Sequence, residues 1–159
     1  MPNVVELIEN VEAIIEQTIR LRLADQWKDA DGNQLTAIQY PAIKKLVNVD
    51  GQFLNEAPTK KPWIRLETQW FGNQRVTISD NENSLNLNDG VIQLTVFAPD
   101  GEGLTTLAEL RGKARKIFDC YDGQGGLRCR SSEPKSRYKD GAWIVGVTLT
   151  EFQVYERRG

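Results

Sequence analysis

Two hydrophobic rhythms run along this chain, one of about 3.6 residues and one of two, and the change between them marks its elements. From Val4, apolar residues recur at Ile8, Val11, Ile15 and Ile19, a stripe widened by Leu7 and Ile14, while Glu9, Glu12, Glu16 and Arg20 face away. This predicts an amphipathic helix to about Ala24, with Asn3 and Glu6 placed as a variant capping box and Glu16 and Arg20 at i, i+4 spacing. From Asp25 to Lys61 the signal fades. Asp31-Gly32-Asn33 reads as a turn, Val47–Val49 before Asp50-Gly51 as a short strand entering a hairpin, and Pro41 and Pro58 interrupt the rest. A connection this long is expected to be functional or partly irregular.

The period of two takes over at Pro62. Ile64, Leu66 and Trp70 fall on one face of a strand, Arg65, Glu67 and Gln69 on the other. Gln74–Ser79, with Val76 and Ile78 inward, reads as its hairpin partner, and the Asn- and Asp-rich stretch 80–90 as an exposed loop carrying Asp80, Glu82 and Asp89. The organising stretch is Gly90–Tyr121. Ile92, Leu94 and Val96 alternate with Gln93, Thr95 and Phe97, then Pro99 and Asp100-Gly101-Glu102-Gly103 end the strand. Leu104, Leu107, Ala108, Ala114, Ile117, Phe118 and Tyr121 recur at helical spacing, with Thr106 and Glu109 placed for a capping box. After a Gly123–Gly126 turn, Leu127 and Cys129 alternate with Arg128 and Arg130, and 131–141 reads as a second polar loop with Lys135, Arg137 and Lys139. Trp143, Val145, Val147 and Leu149 share one parity, Phe152 and Val154 the other, which calls for a bulge near Thr150-Glu151 or a tail leaving the sheet.

The order is helix, strands, central strand, helix, strands. It predicts an α+β fold: one domain over residues 1–159, with a single antiparallel or mixed sheet and two main helices packed on one face. The expected core joins Ile64, Leu66, Leu94, Val96, Val145 and Val147.

Composition narrows the function. The chain has 159 residues, 40% hydrophobic and 26% charged, enough for a real core. Its net charge of −2 argues against a general nucleic-acid binder, and no apolar run approaches a membrane span. No signal peptide precedes the first helix, so use inside a cell is expected. There is no histidine, which removes the commonest general base and the usual partner of a Ser or Cys nucleophile. Cys120 and Cys129 alone make no four-ligand zinc site; they could pair with each other, or be two small buried side chains.

The candidate chemistry is sparse. Gly101-x-Gly103 between strand and helix resembles the start of a dinucleotide fingerprint, but Thr106 replaces the third glycine and Asp100 and Glu102 would repel phosphate. A plain turn is the competing reading. Asp80-x-Glu82-x-Ser84 has a calcium-loop rhythm that fails at Leu85 and Val91. Arg111–Lys116 make a basic helix face, either touching phosphate or simply solvated, and Gly112 within it either admits another chain or is merely tolerated. Arg65, Glu67, Gln93, Thr95, Arg128 and Arg130 form an outward sheet face, read either as wetted surface or as a polar subunit interface.

Three segments together resemble the tail terminator proteins of tailed bacteriophages, the group similar to the minor tail protein U of lambda-type siphophages. They are Pro62-Trp63-Ile64-Arg65-Leu66; Leu94-x-Val96-Phe97-x-Pro99-x-Gly101-x-Gly103 leading into an Ala- and Leu-bearing helix; and a last strand with Trp143, Val145 and Val147. With the first helix, the likeness covers Val4 to about Leu149, and 25–61 is longer than the family pattern. The resemblance implies a structural virion protein, assembled in the bacterial cytoplasm and carried in the tail, with no enzyme activity and no cofactor. It implies a homo-oligomeric ring, a hexamer on the tail and monomeric when free, that caps the tail tube, ends its polymerisation and offers the head-joining surface. Its partners would be the tail tube protein and a head-completion or neck protein, with no membrane and no specific nucleic acid. The candidate contact residues are Arg65, Glu67, Asp80, Glu82, Asp89, Arg128, Arg130, Lys135, Arg137 and Lys139. The alternatives are another neck or head-completion component, or a small nucleotide-binding enzyme domain using the Gly101–Gly103 turn.

Overall fold

The two rhythms become two helices and a seven-stranded mixed sheet, an α+β fold built on a single sheet. The computed structural model describes residues 4–43, 45–58, 60–75 and 85–157. In chain order these are α1 (Val4–Gln26), β1 (Ala37–Gln39), β2 (Leu46–Val47), β3 (Phe53–Leu54), β4 (Trp63–Arg75), β5 (Leu85–Pro99), α2 (Gly103–Phe118), β6 (Leu127–Asp140) and β7 (Trp143–Arg157). The sheet order is β3-β2-β1-β4-β5-β7-β6, and only the β1–β4 pair is parallel among the described pairings.

The main core gathers Ile15, Ile19 and Leu23 of α1 and Leu107, Ala114, Ile117 and Phe118 of α2 with Ile64, Leu66, Ile92, Leu94 and Val96 of the central strands. These strand positions share one parity, so they line one face of the pleat. A second, smaller cluster, Ala37, Leu46, Trp63, Phe97 and Val145, takes the opposite parity. Trp63 and Phe97 stack there, ring centroids 3.9 Å apart and planes within 2°.

Several expectations need correction. The partner of β4 is β5, not Gln74–Ser79: Gln74 and Arg75 continue β4, and Val76 and Ile78 lie outside the described residues. Residues 85–90 of the expected 80–90 loop are not loop but open β5, and 80–84 lie outside the described residues. Nor is 131–141 a loop. Ser131–Asp140 belongs to β6, whose register against β7 shifts between Cys129 and Ser132 and again between Pro134 and Arg137. Two bulges on an exposed edge erase the alternation by which a strand is recognised.

The parity switch in β7 has no bulge behind it, for the β5–β7 register runs unbroken from Leu85↔Arg157 to Pro99↔Trp143. Both parities are partly buried, by different neighbours. Phe152 and Val154 join the helix-side core, whereas Val145 joins the opposite cluster, so the expected grouping of Val145 and Val147 with Leu94 is wrong. On the helix side β7 carries Gly146, Thr148 and Thr150, all buried, with Ser132 Oγ 2.6 Å from Thr150 Oγ1. A Cβ at Gly146 would stand 3.1 Å from Arg111 Cδ and 3.3 Å from Leu107 Cδ1, so α2 passes close over small residues.

At the helices, Thr106 lies a turn inside α2 rather than at its start, and α1 extends past Ala24. Glu16 does not face away. Its carboxylate accepts from Thr68 Oγ1 at 2.6 Å and Trp70 Nε1 at 2.9 Å, latching α1 to β4. Arg20 instead stands over the Tyr40 ring, 5.1 Å from its centroid.

Candidate functional site

Beyond the buried Trp63–Phe97–Val145 cluster, the strand positions of opposite parity to the main core form a partly exposed surface across β4, β5, β7 and β6. Gln69 and Phe71, Val91 and Gln93, Leu149 and Glu151, and Arg130, Ser131, Glu133 and Lys135 line a groove of about 520 Å³ across these four strands. Phe71, Val91 and Leu149 supply its apolar part. Phe71 is placed by a bulge: the β4–β5 register slips between Trp70 and Gly72, and Phe71 is left 59% exposed.

Ion pairs frame the groove. Arg130 Nη1 stands 3.8 Å from Glu151 Oε2, and Lys135 Nζ 2.7 Å from Glu133 Oε2. The hydrogen bond and charge of Lys135 hold the Glu133 carboxyl below its usual range. At one end the groove adjoins a depression shared by Asp89, Phe71, Arg130 and Glu151. Toward β4 it continues past Gln69 to Glu67.

The expected contact residues therefore divide. Arg130 and Lys135 line the groove, with Asp89 and Glu67 at its margins. Arg128 lies on β6 opposite Gln153, sharing parity with Arg130. Arg65 is on this face but has structural duties. Its guanidinium lies 5.4 Å from the Trp63 centroid and 5.1 Å from that of Phe97, Nε donates to Gln39 Oε1 at 2.8 Å, and Glu67 is 3.9 Å away. Lys139 is drawn to the sheet end, 2.8 Å from Asp100 Oδ2, and that bond and charge raise its pKa. Arg137 sits opposite Gly146 on the second bulge. Asp80 and Glu82 lie outside the described residues.

Phe71, Val91, Leu149, Glu133 and Glu151 were not anticipated. Phe71 had a signal, an aromatic directly after Trp70 that breaks the alternation of β4. Val91 is placed beside Glu151 by the β5–β7 pairing, and Glu133, Leu149 and Glu151 meet through the β6–β7 pairing, which polar residues 131–140 concealed.

The basic face of α2 is neither free nor phosphate-facing at its two arginines. Arg111 Nη2 donates to the carbonyls of Lys135 and of Val147, the latter at 3.0 Å. Arg115 Nε donates to the Ser132 carbonyl at 3.2 Å, and Asp119 Oδ1 accepts from the Ser132 N–H at 2.7 Å. The bulges of β6 leave backbone groups without ladder partners, and α2 supplies them. Burial, then the charge of Arg137, lowers the Arg111 pKa. A Cβ on Gly112 would meet nothing within 4 Å, so its own fold does not require that glycine.

The Gly101 turn is likewise tied down. Asp100–Glu102 form a 3-10 turn, the Asp100 N–H donates to Ala142 O at 2.9 Å, and its carboxylate takes Lys139. Among the described residues no group of three or more Cys, Asp or Glu side chains is arranged to hold a metal. Among the described residues no helix is long and apolar enough to cross a membrane.

No protein family matches the sequence, and no curated protein matches it either. Solved structures do share the fold. One, whose designation describes no function, superposes over 90% of this chain and 94% of its own with a TM-score of 0.61 at 15% identity. At that identity the likeness concerns the fold.

Proposed function

We propose that this chain is a structural subunit of a phage tail, acting as a tail terminator: it caps the tail tube as a ring, ends its polymerisation and offers the head-joining surface. The observation that carries the reading is the groove across β4, β5, β7 and β6. Its apolar strip of Phe71, Val91 and Leu149, framed by the Arg130–Glu151 and Lys135–Glu133 pairs, suits contact with protein. An apolar centre with a polar, charged rim is the anatomy of protein–protein interfaces. Rim charges that are already paired tune register and partner choice more than affinity, in keeping with a subunit that stays single until a tube end orders it. The heterologous contacts of a closed ring need such a face on every copy. The resemblance of the Trp63–Leu66, Leu94–Gly103 and Trp143–Val147 segments supplies the specific assembly.

A nucleotide-binding reading of the Gly101 turn draws no support from its geometry, because Asp100 is committed to Lys139 and the Ala142 carbonyl. The test is omission. Tails assembled without this chain should grow to uncontrolled length and fail to join heads in electron micrographs. Tails of normal length, joined to heads in its absence, would overturn the proposal.

A further inference from the structure

Only the first residues of β4 have strand neighbours on both sides. β1 pairs with 63–65 and then leaves the sheet, while β4 stays paired with β5 as far as Arg75↔Asn86. From Leu66 onward, among the described residues, no strand covers the side of β4 away from β5. A strand held in place with a bare row of N–H and C=O groups is a template for another strand. This edge is regular over 66–70, ahead of the bulge at Phe71, and neither proline nor lysine blunts it. Beyond the end of β1 a hollow of about 430 Å³ opens between residues 39–43 and 65–67.

The far end of the sheet offers the complementary strand. The first part of β6 is covered by its own chain: the Cys120 N–H donates to the Arg130 carbonyl at 3.0 Å, the Cys129 N–H to the Tyr121 carbonyl at 2.8 Å, and Asp122 bridges Arg128. Residues 136–140 are all exposed, with β7 on one side and, among the described residues, no strand on the other.

Direction and charge match as well. The β4–β5, β5–β7 and β7–β6 pairs are antiparallel, so β6 runs opposite to β4. A copy set beside another in the same orientation therefore brings its β6 antiparallel to β4, with the helices of both on one side. Arg137 lies opposite Gly146, which passes beneath Arg111, and so belongs to the helix side. Thr68 and Trp70 lie on that side too and hold the Glu16 carboxylate at 2.6 and 2.9 Å. Among the described residues Glu16 pairs with no cation and Arg137 with no carboxylate. Facing side chains of paired strands stand about 5 Å apart, within reach of an arginine.

We propose that copies of this chain join edge to edge: residues 136–140 of β6 in one add antiparallel to residues 66–70 of β4 in the next, with Arg137 paired across to Glu16 and the β6–β7 turn seated in the hollow. The contact rests on the ring reading above and supplies its repeating junction, since each copy offers one edge and receives at the other. Because β1 occupies the place beside 63–65, the incoming strand sits staggered along β4, as strands are in closed sheets.

The test uses the full chain with no phage present, so its failure rejects this contact, whereas tail length tests the role. Gln69→Cys and Tyr138→Cys are made separately, each with Cys120→Ser because Cys120 is exposed and free. Both positions are exposed on the face away from the helices. The two proteins are mixed at high concentration with a short bis-maleimide. Covalent dimers joining the two should form severalfold more often than dimers of either alone. Adding Arg137→Glu to the Tyr138→Cys protein should cut that yield severalfold with an unchanged melting temperature, and raised salt should cut it in the unaltered pair. Mixed dimers no more frequent than those of either protein alone, or a yield indifferent to both Arg137→Glu and salt, would overturn the proposal.

Discussion

Cys129 shows how one small side chain couples the core to pH. Its pKa rises from 9.0 to about 12, chiefly by burial. Between those values the unfolded chain has released a proton that the folded chain keeps. Stability from this group is thus fully present below about pH 9 and is lost as pH climbs through 12. Three units correspond to at most about 4 kcal/mol. Urea unfolding from pH 8 to about pH 11 should show a steeper decline for the parent than for Cys129→Ala. Parallel declines would mean that the thiol is not desolvated.

Gly90 is a second residue with a sharp requirement. A Cβ there would sit 2.4 Å from the Gln69 carbonyl oxygen and 2.6 Å from Phe152 Cζ, contacts that no real Cβ makes. Phe152 also meets Trp70 edge to face, centroids 5.0 Å apart, so neither ring can retreat freely. Gly90→Ala should cost about 1–3 kcal/mol, read by thermal melting, whereas Gly112→Ala, with open space around it, should be neutral or slightly stabilising. In sequence the two glycines look alike. Only the pairing of β4, β5 and β7 distinguishes them.

Among elements, the strongly periodic ones were legible. The helices emerged within a few residues of their bounds, as did the β5 positions Ile92, Leu94 and Val96, because each has one apolar face and one polar face. β6 was not legible beyond Cys129, since its bulges and exposed edge remove both the period and the apolar residues. What holds it is the guanidinium pair on α2. Arg111→Ala should leave the Lys135 and Val147 carbonyls short of a donor and cost about 1–3 kcal/mol, while Lys113→Ala should fall within about 0.5 kcal/mol of the parent. Hydrogen exchange of 131–139 should quicken in the arginine variant. If both variants melt together, α2 does not hold β6. Glu16 is the equivalent latch between α1 and β4, invisible in sequence because a glutamate on a helix reads as solvated.

At the scale of the whole molecule, the α+β class and single sheet followed from element order, and the candidate face followed in part. The parity of Arg65, Glu67 and Arg130 placed them on the side away from Leu66 and Cys129. The groove itself could not be read, because its two walls, the consecutive strands β4 and β5 and the consecutive strands β6 and β7, meet through the β5–β7 pairing, which joins strands not consecutive in sequence. The proposed function rests on this face. Phe71 is its most exposed apolar member and lies outside both core clusters, so changing it separates assembly from folding.

The direct test is electron microscopy of particles assembled with Phe71→Glu in place of the parent chain, after thermal melting has verified that the variant is folded. A charge in the apolar centre of a contact face should weaken docking severalfold or more while altering stability by less than about 0.5 kcal/mol. The account predicts tails that are overlong or lack heads. Particles with tails of normal length, joined to heads and built with the folded variant, would contradict it.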